Sequence, residues 1–142
     1  MSSSDRPDAH LGYLLKHAQM RYFELSAAAL GPLGINGREA AVLRATDDTS
    51  PLSQGEIARK MDVDRTTMVA LIDDLQGKGL VRRRQDPGDR RRNVVELTGA
   101  GRETLRRAAG LAAEAEQAFL SPLTGADAAR FKELLRTLLE GA

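Results

Sequence analysis

The chain has 142 residues, no cysteine, and 21 Lys and Arg against 20 Asp and Glu, for a net charge of +1. That length suits one domain, and the missing cysteines exclude disulfides, a Cys-based zinc site and thiol redox sensing within the chain. With 42% hydrophobic and 29% charged residues it reads as folded rather than disordered. No apolar run approaches the roughly 20 residues that span a bilayer. Met1 to Pro7 lacks a signal-peptide core, so no membrane partner and a cytoplasmic location are expected. The near-zero net charge does not announce a nucleic-acid partner, but its distribution does: Arg82 to Arg92 holds six Arg against two Asp.

Met1 to Pro7 is a polar tail, and Asp8 is placed to cap a long helix running to about Leu30. Leu11, Leu14, Leu15, Ala18, Tyr22, Leu25 and Ala29 share one face of it, while Tyr13, His17 and Met20 cluster on the other. A helix with two apolar-leaning faces packs between two neighbours, and in so short a chain a second subunit is one candidate. Gly31-Pro32-Leu33-Gly34 breaks this helix. Asn36, with Glu39 three residues on, opens a second helix as a capping box, with Ala40, Val42, Leu43 and Ala45 as its apolar positions.

Thr46 to Pro51 is a polar loop, and Pro51-Leu52 leads into a minimal strand. Ser53 and Glu56 form another capping box, for a helix that buries Ile57, Ala58 and Met61. Asp62-Val63-Asp64 is a turn, and Asp64 caps a fourth helix from Arg65 to about Gly77. Met68, Leu71, Ile72 and Leu75 are its core stripe; Thr66, Val69, Ala70 and Asp73 lie opposite, flanked by Arg65, Thr67 and Gln76. Gly77-Lys78-Gly79 ends it.

Leu80 to Gln85 and Asn93 to Leu97 read as antiparallel strands joined by the turn Asp86-Pro87-Gly88-Asp89, with Val95 and Leu97 packed inward. Thr98 caps a long alanine-rich helix whose face is Leu105, Ala108, Ala112, Ala115 and Phe119. Ser121-Pro122-Leu123 breaks it, and Thr124 with Asp127 opens the last helix, striped by Phe131, Leu134, Leu135, Leu138 and Leu139.

The order helix, tight turn, helix, arginine-tipped ribbon points to DNA. The second helix of such a pair lies in the major groove with its N-terminal residues at base edges. Arg65, Thr66 and Thr67 suit that place, and Val69 or Ala70 suits a thymine methyl. Asp73 is unfavourable near phosphate, so it should lie off the backbone or orient a basic neighbour. Six guanidiniums at one hairpin repel one another, and phosphates or a narrow A·T-rich minor groove would relieve that repulsion. Arg84, Arg90, Arg91 and Arg92 are the groups assigned to that contact. Asp89, two residues before Arg91, is placed to hold its guanidinium.

Leu52-Ser53-Gln54-Gly55-Glu56-Ile57-Ala58, Asp64-Arg65-Thr66-Thr67-Met68-Val69, Leu75 to Val81, Asp86-Pro87-Gly88-Asp89-Arg90-Arg91 and Val95-Glu96-Leu97-Thr98 resemble the MarR family of winged helix-turn-helix regulators, in order and over nearly the whole chain. The Asp-Pro-x-Asp-Arg-Arg wing before a Leu-Thr strand end is the most specific part. The resemblance implies a mainly α (α+β) fold: a winged helix-turn-helix with a two- to three-stranded β-wing and long terminal dimerisation helices. Residues 1–142 then form a single domain, with 1–35 and 99–142 as dimerisation helices and 36–98 as the DNA-binding lobe. It further implies a homodimeric repressor on a pseudo-palindromic operator, released by a small aromatic or phenolic anion. By the same analogy Arg91 enters the minor groove with Asp89 as its orienting partner. Leu11, Leu15, Phe131, Leu134, Leu135 and Leu138 then line the dimer interface, and Tyr13, His17, Met20 and Arg44 the ligand pocket.

The alternative is a winged-helix protein-interaction module without DNA binding, against which the basic wing counts. An enzyme is not expected, because no nucleophile–base pair or phosphate loop is present and Asp73 and Asp74 face different directions on their helix. Neither cofactor nor metal is expected, the two histidines being His10 and His17.

Overall fold

Local hydrogen bonding starts the helices where the sequence places them. The computed structural model describes residue 6, residues 9–47 and residues 49–141. Asn36 and Ser53 each cap through a complete capping box, ahead of α2 (Gly37–Thr46) and α3 (Gln54–Met61). Asp64 caps α4 (Arg65–Gly77), Thr98 caps α5 (Gly99–Leu120) and Thr124 caps α6 (Gly125–Glu140). Each such side chain satisfies a backbone N–H that a helix start leaves open, worth about 1 kcal/mol. α1 (Leu11–Leu30) differs, for its N-cap is His10 and carries no side-chain cap bond. The expected cap, Asp8, and most of the N-terminal tail lie outside the described residues.

The turn between α3 and α4 is closed by Asp62, held at φ 54° in the left-handed region. Asp tolerates that region better than most side chains. Val63 N–H then donates to Ala58 O at 2.9 Å, reversing the chain. Ile57, Met68, Ile72 and Leu75 are fully buried beneath the pair, together with Val42 and Leu43 of α2. Met61 and Leu71, expected in this core, are only half-buried at its margin.

The wing consists of β1 (Val81–Asp86) and β2 (Asp89–Leu97), antiparallel with Val81 opposite Leu97 and Arg83 opposite Val95. β2 begins four residues before the expected Asn93, because Asp86 and Asp89 pair across Pro87-Gly88. The register shifts there, from Gln85 opposite Asn93 to Asp86 opposite Asp89, so Arg90, Arg91 and Arg92 have no residue opposite them. They form an extrusion rather than an even ladder. Leu52 adds the expected minimal third strand by bridging Val95, whose N–H donates to Leu52 O at 2.8 Å. Val95 and Leu97 are buried inward, as the alternation implied.

α1 and α5 pack along each other, with the Tyr22 and Phe119 rings edge-on at 5.5 Å. Ala108 and Ala115 are buried on α5 and allow this close approach, while Leu105, Ala112 and Phe119 are half-buried. The first turns of α1 differ from the expected core stripe: Leu11, Leu14 and Leu15 are exposed, and only Leu30 of the whole helix is buried. α6 likewise buries none of its residues, and Lys132 ties it to Glu116 of α5 at 3.2 Å. Tyr22 of the α1 stripe meets α5, but among the described residues nothing covers Leu11, Leu14 and Leu15 at the start of α1 or Phe131, Leu134, Leu138 and Leu139 of α6. Among the described residues no helix is long and apolar enough to cross a membrane.

Candidate nucleic-acid interface

The outer face of α4 carries Arg65, Thr66, Val69 and Ala70, all exposed. Thr67 stands apart from them. It is half-buried, and its hydroxyl donates to Asp64 Oδ2 at 2.7 Å while its N–H donates to Asp64 Oδ1 at 2.7 Å. Its hydroxyl proton is thus used in the cap. Those two bonds hold the Asp64 carboxyl below its ordinary pKa, backbone bond first, and Arg38 adds to them against the opposing effect of burial. Between the start of α3, the first half of α4 and β2 lies a cleft of about 530 Å³, lined in part by Arg59, Arg65 and Arg83.

In the wing the six arginines divide. The Arg82 and Arg84 Nε atoms both donate to Glu96, Arg84 at 2.6 Å. Arg92 bonds Glu56, the same carboxylate that completes the α3 capping box, and its Nε lies 3.8 Å from Asp86 Oδ2. Arg83 pairs with Asp73 at 2.6 Å. The crowding expected of six free guanidiniums is therefore relieved mostly by carboxylates of the chain itself. Arg90 and Arg91 are exposed, and no salt bridge engages either among the described residues. Arg84 and Arg92 thus brace the wing in the free chain, and Arg90 and Arg91 are its available cations. Asp89 acts differently from expectation. Its Oδ1 accepts the backbone N–H of Arg91 at 3.1 Å, so it shapes the loop under Arg91 rather than gripping the guanidinium.

These carboxylates are electrostatically marked. Arg84's hydrogen bond is the largest influence on Glu96 and, with Arg82, holds it below the ordinary pKa against burial. For Glu56 burial is the largest single influence and acts upward, but the Ser53 bonds and Arg92 together prevail and lower it. A carboxylate lowered in the folded state contributes stability above its unfolded pKa and loses it as pH falls through the folded value. Resistance to thermal unfolding should therefore weaken on acidification below about pH 5. Glu56→Gln and Glu96→Gln should start less stable at neutral pH and decline more gently, converging on wild type in acid. Parallel curves from calorimetry at decreasing pH would show these carboxylates to be uninvolved.

A second open cleft, of about 500 Å³, runs along α1 and is lined by His17, Met20, Arg21, Glu24 and Leu25. Two of the expected pocket residues are there. Tyr13 packs against His17 with the rings tilted by 31° and their centroids 4.0 Å apart, and Arg44, exposed on α2, is not among the lining residues. Arg21 and Glu24 carried no sequence signal beyond their place one to two turns along from His17.

Comparison with known proteins places these features in context. Residues 33–92 match the model described as the MarR family. An HTH-type transcriptional repressor of Mycobacterium tuberculosis is 32% identical over 131 residues, covering 92% of this chain and 94% of the relative. The crystal structure of a probable transcriptional regulator from Pseudomonas aeruginosa superposes with a TM-score of 0.84 at 32% identity, over 94% of this chain and 99% of the other. CouR from Rhodococcus jostii RHA1, solved bound to p-coumaroyl-CoA, superposes with a TM-score of 0.79 at 26% identity, over 95% of each chain.

Proposed function

Because the chain belongs to the MarR family of winged helix-turn-helix transcriptional regulators, we propose that it acts as a homodimeric repressor which reads a pseudo-palindromic operator and leaves it on binding a small aromatic anion. One observation carries the DNA reading. The exposed α4 residues Arg65, Thr66, Val69 and Ala70 adjoin a wing whose Arg90 and Arg91 are the cations its own carboxylates leave unclaimed. α4 supplies base-edge contacts in the major groove, and Arg91 enters the adjacent minor groove. The side of the cleft between α3 and α4 that is lined by Arg59 and Arg65 suits the phosphate backbone that passes between those grooves. Two copies would set their α4 helices about one turn, roughly 34 Å, apart on the duplex.

Ligand control has separate support. CouR, bound to an aromatic acyl-CoA, shares the fold across 95% of its length. The α1 cleft offers an aromatic and apolar wall in His17 and Met20 with the cation Arg21 beside it. A ligand there shifts DNA affinity only as far as it prefers one arrangement of the two DNA-binding lobes.

Fluorescence anisotropy with the DNA upstream of the chain's own gene tests the reading. Raising salt from roughly 50 to 200 mM should weaken binding on the order of a thousandfold. Arg91→Ala should weaken it about tenfold with no change in melting, since the tip carries no core. Binding that ignores both salt and sequence would remove the repressor reading.

A further inference from the structure

We propose that Arg83 is a positioning residue that sets the angle between the wing and α4, so that Arg91 and the α4 side chains meet one duplex together. The inference rests on the DNA reading above. Arg83 sits in β1 opposite Val95, on the strand face shared with buried Val81 and Leu97 and so turned toward the helices. All three nitrogens of its guanidinium are used. Nε donates to Gln54 Oε1 at 2.8 Å, Nη1 to Gln76 Oε1, and Nη2 to Asp73 Oδ1 at 2.6 Å. Gln54 is the first residue of α3, and Asp73 and Gln76 lie in the second half of α4.

A guanidinium is a rigid planar fork. Acceptors on two helices therefore fix its orientation as well as its place, and through it the orientation of β1. The side chains of Arg83 and Asp73 are 29% and 59% exposed. So open a pair adds little to stability, and its geometry is the stronger reason for it. The wing tip lies three residues further along the strand, at Asp86. At about 3.3 Å per residue a tilt of roughly 20° at Arg83 moves the tip by about 3 Å, enough to take Arg91 out of a groove. Asp73, an acid on the DNA-facing side of α4, thereby anchors the fork, while Arg83 offsets its charge.

A double-mutant cycle tests this, using a duplex that the wild-type protein itself enriches from a randomised pool. Arg83→Ala, Arg91→Ala, the double variant and Arg83→Lys are compared by anisotropy, each with its melting curve. Arg83→Ala should weaken binding about tenfold. Most of that loss should vanish in the Arg91→Ala background, because a mis-aimed wing without its tip arginine has little more to lose. Arg83→Lys keeps the charge without the fork and should lose as much as Arg83→Ala, whereas a direct phosphate contact would survive as lysine. If Arg83→Ala lowers the melting temperature, Gln76→Ala in the same cycle carries the test, with the same loss of additivity expected. Additive losses, or full affinity in Arg83→Lys, overturn the positioning role while leaving the DNA reading intact. Failure of the wild type to enrich any duplex removes the DNA reading and this inference with it.

Discussion

Gly101→Ala should destabilise the protein by on the order of 3 kcal/mol, lowering its melting temperature by roughly ten degrees or more. Gly101 lies in the first turn of α5 and is buried. A Cβ built there falls 1.9 Å from Leu80 O and 2.9 Å from Leu80 C. Both atoms are backbone, and that backbone is already committed. Leu80 O accepts Thr98 N–H at 3.1 Å, and Leu80 N–H donates to Leu75 O at 3.0 Å. Thr98 in turn caps α5 through Gly101 N–H and donates its hydroxyl to Gly79 O at 2.6 Å. Gly79 needs its φ of 74° to end α4. The end of α4, the root of the wing and the start of α5 therefore meet around one carbonyl, and a methyl group there must push them apart.

The same helix supplies the control. Gly99 also lies in the first turn of α5, but a Cβ there meets nothing within 4 Å. Gly99→Ala should be neutral or stabilising by up to about 1 kcal/mol, since alanine lowers the entropy cost of ordering a helix. Paired calorimetric melts decide the matter. Equal effects from the two substitutions would show that close approach at Leu80 is not the cause.

What the sequence reveals of this fold follows the range of the interactions. The starts of α2, α3, α4, α5 and α6 are legible because each cap bonds a residue three positions on. The wing turn is legible for the same reason, with Asp86 Oδ1 accepting Gly88 N–H at 2.9 Å. The braces of the wing are not. Arg83 finds Gln54 and Gln76 at separations of 29 and 7, and Arg92 finds Glu56 at 36. No periodicity encodes such pairs, so a run of arginines reads as uniform when the fold divides it into braces and free cations. Thr67 shows an intermediate case, since its place three residues after Asp64 announces the bond that takes its hydroxyl out of the reading face. The leucines of α1 and α6 show a different limit. Their spacing marks an apolar face, but the face is exposed in the single chain, and spacing does not say whether a covering surface belongs to the same chain.

Leu138→Asp should convert the proposed homodimer to a monomer and weaken the proposed operator binding at least a hundredfold, the scale of gain that joining two half-sites gives. Leu138 is 70% exposed and its neighbour Leu139 77%, on a helix that buries none of its residues. Leu11, Leu15, Phe131 and Leu134 are exposed at the same ends of the chain. Covering one such side chain is worth about 1.5–3 kcal/mol, and among the described residues nothing covers them. A two-fold contact makes each substitution count twice, and each aspartate also brings a carboxylate that must leave water. The penalty is on the order of 5 kcal/mol, more than a thousandfold in the dimer constant. Because Leu138 touches so little of its own chain, the helical circular-dichroism signal should persist in the monomer. Sedimentation velocity reads the assembly and anisotropy the affinity, and the two should fall together. A Leu138→Asp protein that still sediments as a dimer would take this face of α6 out of the interface. A clean monomer with full operator affinity would instead show that one wing and one α4 suffice, and that spacing between two copies is not the point of control.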